Sequence, residues 1–183
     1  MHFPDQKLLL RLVIALVGIG LAGCSQHPVS PIETKAAVKA GEIGSRLPDF
    51  SMKDLNGREV SSGDLRGKVV IVDFWATWCQ PCKKEMPGYQ KLLDRYGPRG
   101  LAVVGFKATM MMDTEDPVLF AQENGVHYPL VVASPSVTDK FGSILGLPTT
   151  LIYDRGGILR QKLIGFEYTN VVETEIKALL SSN

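Results

Sequence analysis

The stretch KVVIVDFWA, residues 68–76, constrains this chain more than any other. It is almost wholly apolar and β-branched and too short for a buried helix. Such a run is a strand covered on both faces, hence a central strand with a parallel neighbour. It leads without a linker into WCQPC, residues 78–82, and then into KKEMPGYQKLLDRYG. In that last stretch Met86, Tyr89, Leu92, Leu93 and Tyr96 recur at helical spacing, and Gly97-Pro98 ends the helix. Two cysteines therefore fall at a strand-to-helix junction.

The remaining pattern extends that unit. GLAVVGFKA reads as a second buried strand and DPVLFAQENG as a short helix, with Asp116 as its cap and Pro117 in its first position. YPLVVA reads as a short strand and SVTDKFGSI as a short helix. TTLIYDRGGILRQKLIG is a strand pair turning at Gly156-Gly157, and TNVVETEIKALLSS is a closing amphipathic helix. Upstream, FSMKDLNGREVSS carries the Asn56-Gly57 signal of a two-residue hairpin. The fold class is α/β: a central mixed sheet with helices on both faces and an N-terminal hairpin.

The first residues are set apart by composition. MHFPDQKLLLRLVIALVGIGLAGC has a basic start (Lys7, Arg11) and an apolar run from Leu12 to Ala22, shorter than the roughly 20 residues of a membrane span. It reads as a secretory signal, 1–23; an uncleaved anchor is the alternative. Leu21-Ala22-Gly23-Cys24 resembles the bacterial lipoprotein cleavage box, which implies a lipid on Cys24 and a membrane partner. Residues 24–45 are polar, with two prolines, and read as a tether with room for a short helix around Glu33 to Lys39. The domain is then 46–183. By the sorting pattern of enteric-type lipoproteins, Ser25 leans toward the outer membrane. The formal net charge of +1 gives no footprint for nucleic acid, and nothing calls for more than a monomer.

The cysteine pair admits three readings: a metal clip, a structural disulfide or a redox switch. Zinc wants four ligands, but His127 is the one histidine of the domain and no second pair exists. A disulfide across two residues closes so small a loop that it constrains little chain entropy. Redox chemistry fits the setting. At a helix N-terminus, unpaired amides and the dipole stabilise a Cys79 thiolate. Pro81 loses nothing by lacking an N–H in the first turn. Cys82, deeper in the helix, is placed to attack a mixed disulfide formed at Cys79.

VDFWATWCQPCKKEMP and GLPTT at 146–150 together resemble the thioredoxin superfamily, in its membrane-tethered TlpA/ResA-type branch. The resemblance runs from about Leu47 to Leu180. It implies a thioredoxin-like fold, with an extra strand and helix inserted at roughly 110 to 135. It implies a thiol–disulfide oxidoreductase without a cofactor, with Cys79 as nucleophile and Cys82 as resolving cysteine. Its partners would be protein thiols and disulfides of the cell envelope, with a membrane or soluble thiol as electron donor. Pro148 matches the family's cis-proline, leaving the Leu147 backbone free to pair with a substrate. Trp78, Gln80 and Pro81 border the substrate, and Trp75 packs in the core. Asp73 matches the aspartate that assists proton transfer at the resolving cysteine. Its alternative role is a carboxylate bonded to a backbone amide. Gln80 cannot titrate, unlike the glutamate some relatives carry. Thr149 stands where cytochrome-maturation reductases often carry an acid. Lys83, Lys84 and Glu85 read as a solvated helix face, and Pro87 as a kink. Met110 to Met112 read as a packed loop or a Cu(I) surface, with no metal assigned.

The leading function is reduction of envelope disulfides. An oxidase of the same fold is the first alternative and a non-catalytic copper- or partner-binding module the second. The two-residue cysteine spacing argues against a redoxin-type peroxidase.

Overall fold

The computed structural model describes residues 38–108 and 115–182. The signal segment, Cys24, most of the tether and Met110–Met112 lie outside the described residues; of the expected Glu33–Lys39 helix only Val38 and Lys39 are described, and they are not helical.

Strand β1 (Ser51–Lys53) pairs antiparallel with β2 (Glu59–Ser61). Then come β3 (Val69–Trp75), helix α1 (Gln80–Tyr96), β4 (Leu101–Ala108), α2 (Pro117–Glu123), β5 (Leu130–Ala133) and the short α3 (Pro135–Thr138). Strands β6 (Thr149–Tyr153) and β7 (Leu159–Ile164) and helix α4 (Thr169–Ser181) complete the chain. The main sheet has the order β5-β4-β3-β6-β7. Strand β3 is central as its composition requires: all of its residues are buried, with β4 parallel on one side and β6 antiparallel on the other. The extra helix and strand of the insert are α2 and β5. Asp116 caps α2 as expected, its carboxylate accepting from the Val118 amide at 2.7 Å.

The two faces are covered differently. Ile71 and Trp75 of β3 pack with Met86, Tyr89, Phe120, Val172 and Ile176 under the long helices α1 and α4 and the shorter α2. Val70, Val72 and Phe74 face a second core that Phe50 and Val60 of the N-terminal segment cover, together with Phe141 and Val137 beside the short α3. Four rings meet there, Phe106 lying 5.1 Å from Phe50 and 5.0 Å from Phe141.

The hairpin departs from the expected two-residue turn. Its loop is Leu55-Asn56-Gly57, closed by the Asp54 amide donating to the Arg58 carbonyl at 2.8 Å, with Gly57 at φ 78°. The Asp54 carboxylate sets this geometry by accepting from the Asn56 and Arg58 amides at 2.9 and 2.8 Å. A three-residue loop ending in a left-handed glycine results. Its Leu55 amide then donates to the Leu130 carbonyl at 2.8 Å, so the hairpin covers part of the β5 edge. Among the described residues no helix is long and apolar enough to cross a membrane.

Candidate active site

Helix α1 begins at the cysteine pair. Cys79 is its N-cap, in extended conformation, and its Sγ accepts the Cys82 amide at 3.2 Å. That contact puts a sulfur where the helix presents its unpaired amides, as the sequence argument requires. Pro81 occupies the first turn. The pair is a disulfide, with Cα atoms 5.3 Å apart. Both cysteines are buried, Cys79 at 2% exposure and Cys82 at 0%. Gln80 and Pro81 are exposed beside them, and Trp78 is half-buried at the rim.

The Leu147–Pro148 peptide is cis. Pro148 is buried, and its carbonyl accepts the Gly165 amide at 2.8 Å. Leu147 and Trp78 pack against the core cluster that holds both cysteines.

Asp73 lies on β3 between Gly105 of β4 and Thr150 of β6. It is fully buried and neither carboxylate oxygen has a hydrogen-bond partner. The alternative of a carboxylate tied to a backbone amide is therefore incorrect. Burial, and after it the charge of Glu85, hold its pKa well above the ordinary carboxylate range.

Glu85 corrects a second expectation. It is not on a solvated face but 1% exposed. The Tyr89 hydroxyl and the Thr150 hydroxyl, the latter at 2.9 Å, both donate to its Oε1, and the Glu167 amide donates to Oε2 at 3.1 Å. Tyr89 Oη and Thr150 Oγ1 are themselves 2.9 Å apart. Burial raises the Glu85 pKa, and the hydrogen bonds from Tyr89, Glu167 and Thr150 offset that rise only in part. The signal was present in its spacing: Glu85 is three residues past Cys82 and four before Tyr89, on the buried stripe. The charge run with Lys83 and Lys84 masked it. Those two lysines do behave as surface groups: Lys84 is exposed, and Lys83 pairs with Glu115 at 3.3 Å. The helix continues through Pro87, which removes only the amide that would serve the Lys83 carbonyl.

The arrangement has the parts of a dithiol–disulfide couple: a capped sulfur, a deeper partner sulfur, and two buried acids of raised pKa on the adjoining strand and helix. Comparison with known proteins agrees. The family model described as the AhpC/TSA family matches residues 43–162. The thiol-disulfide oxidoreductase ResA of Geobacillus thermodenitrificans is 32% identical over 183 residues, covering 97% of this chain and 97% of that protein. ResA of Bacillus anthracis is 29% identical over 180 residues, covering 94% and 96%. Among solved structures, a thiol:disulfide interchange protein of the thioredoxin family from Chlorobium tepidum superposes with a TM-score of 0.68 at 28% identity, covering 78% of this chain and 100% of that one. The chain belongs to the AhpC/TSA family, and within its thioredoxin-like fold it is a thiol-disulfide oxidoreductase.

Proposed function

We propose that the chain reduces disulfides of proteins in the bacterial cell envelope, held to a membrane by a lipid on Cys24 and facing the periplasm. In the reduced chain the Cys79 thiolate attacks one sulfur of a target disulfide. A mixed disulfide forms and the other target sulfur leaves as a thiolate. Cys82 loses its proton to the Asp73 carboxylate and attacks the Cys79 sulfur. The Cys79–Cys82 bond forms, the second target thiol departs, and two electrons have passed to the target. An external thiol donor then restores the dithiol.

The observation that carries this reading is the sulfur pair itself, one member capping α1 and the other buried behind it. Asp73 suits the proton step because burial raises its pKa above the ordinary carboxylate range, which makes it a stronger base. The half-buried Leu147 before cis-Pro148 suits pairing with an extended substrate segment. Ser25 favours the outer membrane, which would require a soluble donor. The full-length chain is expected to accelerate reduction of insulin disulfides by a dithiol, and to fractionate with membranes unless Cys24→Ser is introduced. Insulin reduction no faster than with the dithiol alone would refute the reductase reading. Unchanged membrane fractionation of the variant would refute the anchor.

A further inference from the structure

Four large apolar side chains stay in solvent between residues 164 and 171. Ile164 at the end of β7 is 56% exposed, and Val171 in the first turn of α4 is 43% exposed. Phe166 and Tyr168, on the loop between them, are 40% and 67% exposed. The two rings meet edge to face, with centroids 5.2 Å apart. Neither core needs these side chains. Leu163 and Val172, their neighbours in sequence, turn onto the helix-side core instead.

The backbone that carries them is fixed to both the cis-proline and the cysteine helix. The Gly165 amide donates to the Pro148 carbonyl at 2.8 Å, and Ile164 is the register partner of Thr149. The Glu167 amide, between the two rings, donates to Glu85 Oε2 of α1 at 3.1 Å. Thr169 lies so close to Gly88 of α1 that a Cβ there would collide with its Oγ1. Glu85 follows Cys79 by six residues, a rise of about 9 Å along α1. The loop therefore links the start of β6 to the first turns of the helix that the reactive sulfur caps.

An apolar patch left in water marks a contact surface, and aromatic side chains on a fixed backbone lose little entropy when they are covered. What covers this one follows from its continuity with Pro148. A target segment paired at Leu147 runs beside the residue to which Gly165 is bonded. In an extended segment, side chains two residues apart share a face. A side chain two positions from the target's cysteine is thus presented on the same face as the reacting sulfur.

We propose that Phe166 and Tyr168, with Ile164 and Val171, receive an apolar or aromatic side chain that lies two residues from the reacting cysteine of the target protein, and so select targets by sequence. The proposal rests on the reductase reading given above, in which Cys79 remains the attacking group.

The test uses the reduced full-length chain and two extended peptides. Each peptide carries one cysteine as its disulfide with thionitrobenzoate. One has Phe at both positions two removed from the cysteine, and the other has Ser at both. Attack of the Cys79 thiolate on the peptide sulfur joins chain and peptide and expels coloured thionitrobenzoate, whose release gives the rate. The native chain is expected to react about tenfold faster with the Phe peptide. In Phe166→Ser, Tyr168→Ser the ratio of the two rates is expected to fall to about one. A ratio is unaffected by any loss of folded chain. Leu119→Ser, which removes an exposed apolar side chain of α2, is expected to keep the tenfold ratio. Equal rates with the native chain, or a ratio that survives in the double variant, overturn the surface alone. Reaction with both peptides no faster than with free glutathione overturns the attacking role of Cys79 and the surface with it. A native chain that sediments as a dimer, with the double variant a monomer, assigns the patch to a second copy and also overturns the proposal.

Discussion

Cys79→Ser is expected to abolish exchange, leaving only the background reaction of the buffer thiols, while Cys82→Ser stops the reaction one step later. The two sulfurs sit in one bond, yet they are not equivalent. Cys79 Sγ accepts a helix amide and keeps a small exposed surface; Cys82 is buried entirely. Only a thiolate that a target can reach starts the exchange, and only a thiol behind it can release the product. Incubated with a disulfide-bonded protein, Cys82→Ser accumulates a mixed disulfide visible on a non-reducing gel and removable by dithiothreitol. Cys79→Ser accumulates none. Equal accumulation by the two variants would mean that either sulfur can attack, and the assigned order would be wrong.

The second large effect belongs to Asp73, and it acts on stability as well as rate. The folded chain holds this carboxyl's pKa well above its unfolded value of about 3.9. Between those two values the folded state keeps a proton that the unfolded state releases. The contribution of the group to stability is therefore complete below pH 4. It is lost as pH rises, by about 1.4 kcal/mol per pH unit at most, until the folded pKa is passed. Asp73→Asn removes that slope. The oxidised variant is expected to match the native chain in urea at pH 3.5 and to exceed it increasingly as pH rises from 5 toward the folded pKa of Asp73. Glu85, also shifted upward by burial, supplies a smaller slope that remains in both. In the reduced chain the same substitution removes the base for Cys82. Resolution is expected to slow by about a hundredfold at pH 7, with the gap closing toward pH 9 as solvent takes the proton instead. A stability gain independent of pH, or an unchanged rate of resolution, would contradict the assignment.

The parts legible in the sequence share one cause. A β-branched run long enough for one strand, placed against a capped cysteine, leaves few ways to fold, and the structure has β3, Cys79 and α1 where that logic puts them. The GLPTT stretch was similarly informative, and its proline is cis. What stayed hidden depended on contacts distant in sequence. Glu85 looked like surface because Lys83 and Lys84 precede it. Beside its neighbour Tyr89, Thr150, 65 residues away, and the Glu167 amide make its burial tolerable. The hairpin length turned on the Asp54 carboxylate folding back on two amides, which the Asn56-Gly57 pair does not announce. The unequal cover of the two sheet faces followed from Phe50, Phe106 and Phe141 meeting across the hairpin side.

In the proposed function, Cys79 and Cys82 form a reversible couple poised to reduce. The most direct test is the reduction potential of the full-length chain, titrated in dithiol buffers and read from alkylation of the free thiols. A single two-electron transition near or below about −250 mV, the region of thioredoxin, is the predicted result. A transition near about −120 mV, the region of strong oxidants, would make the chain a disulfide donor and contradict the proposed direction. No reversible transition at all would contradict the redox role of the pair.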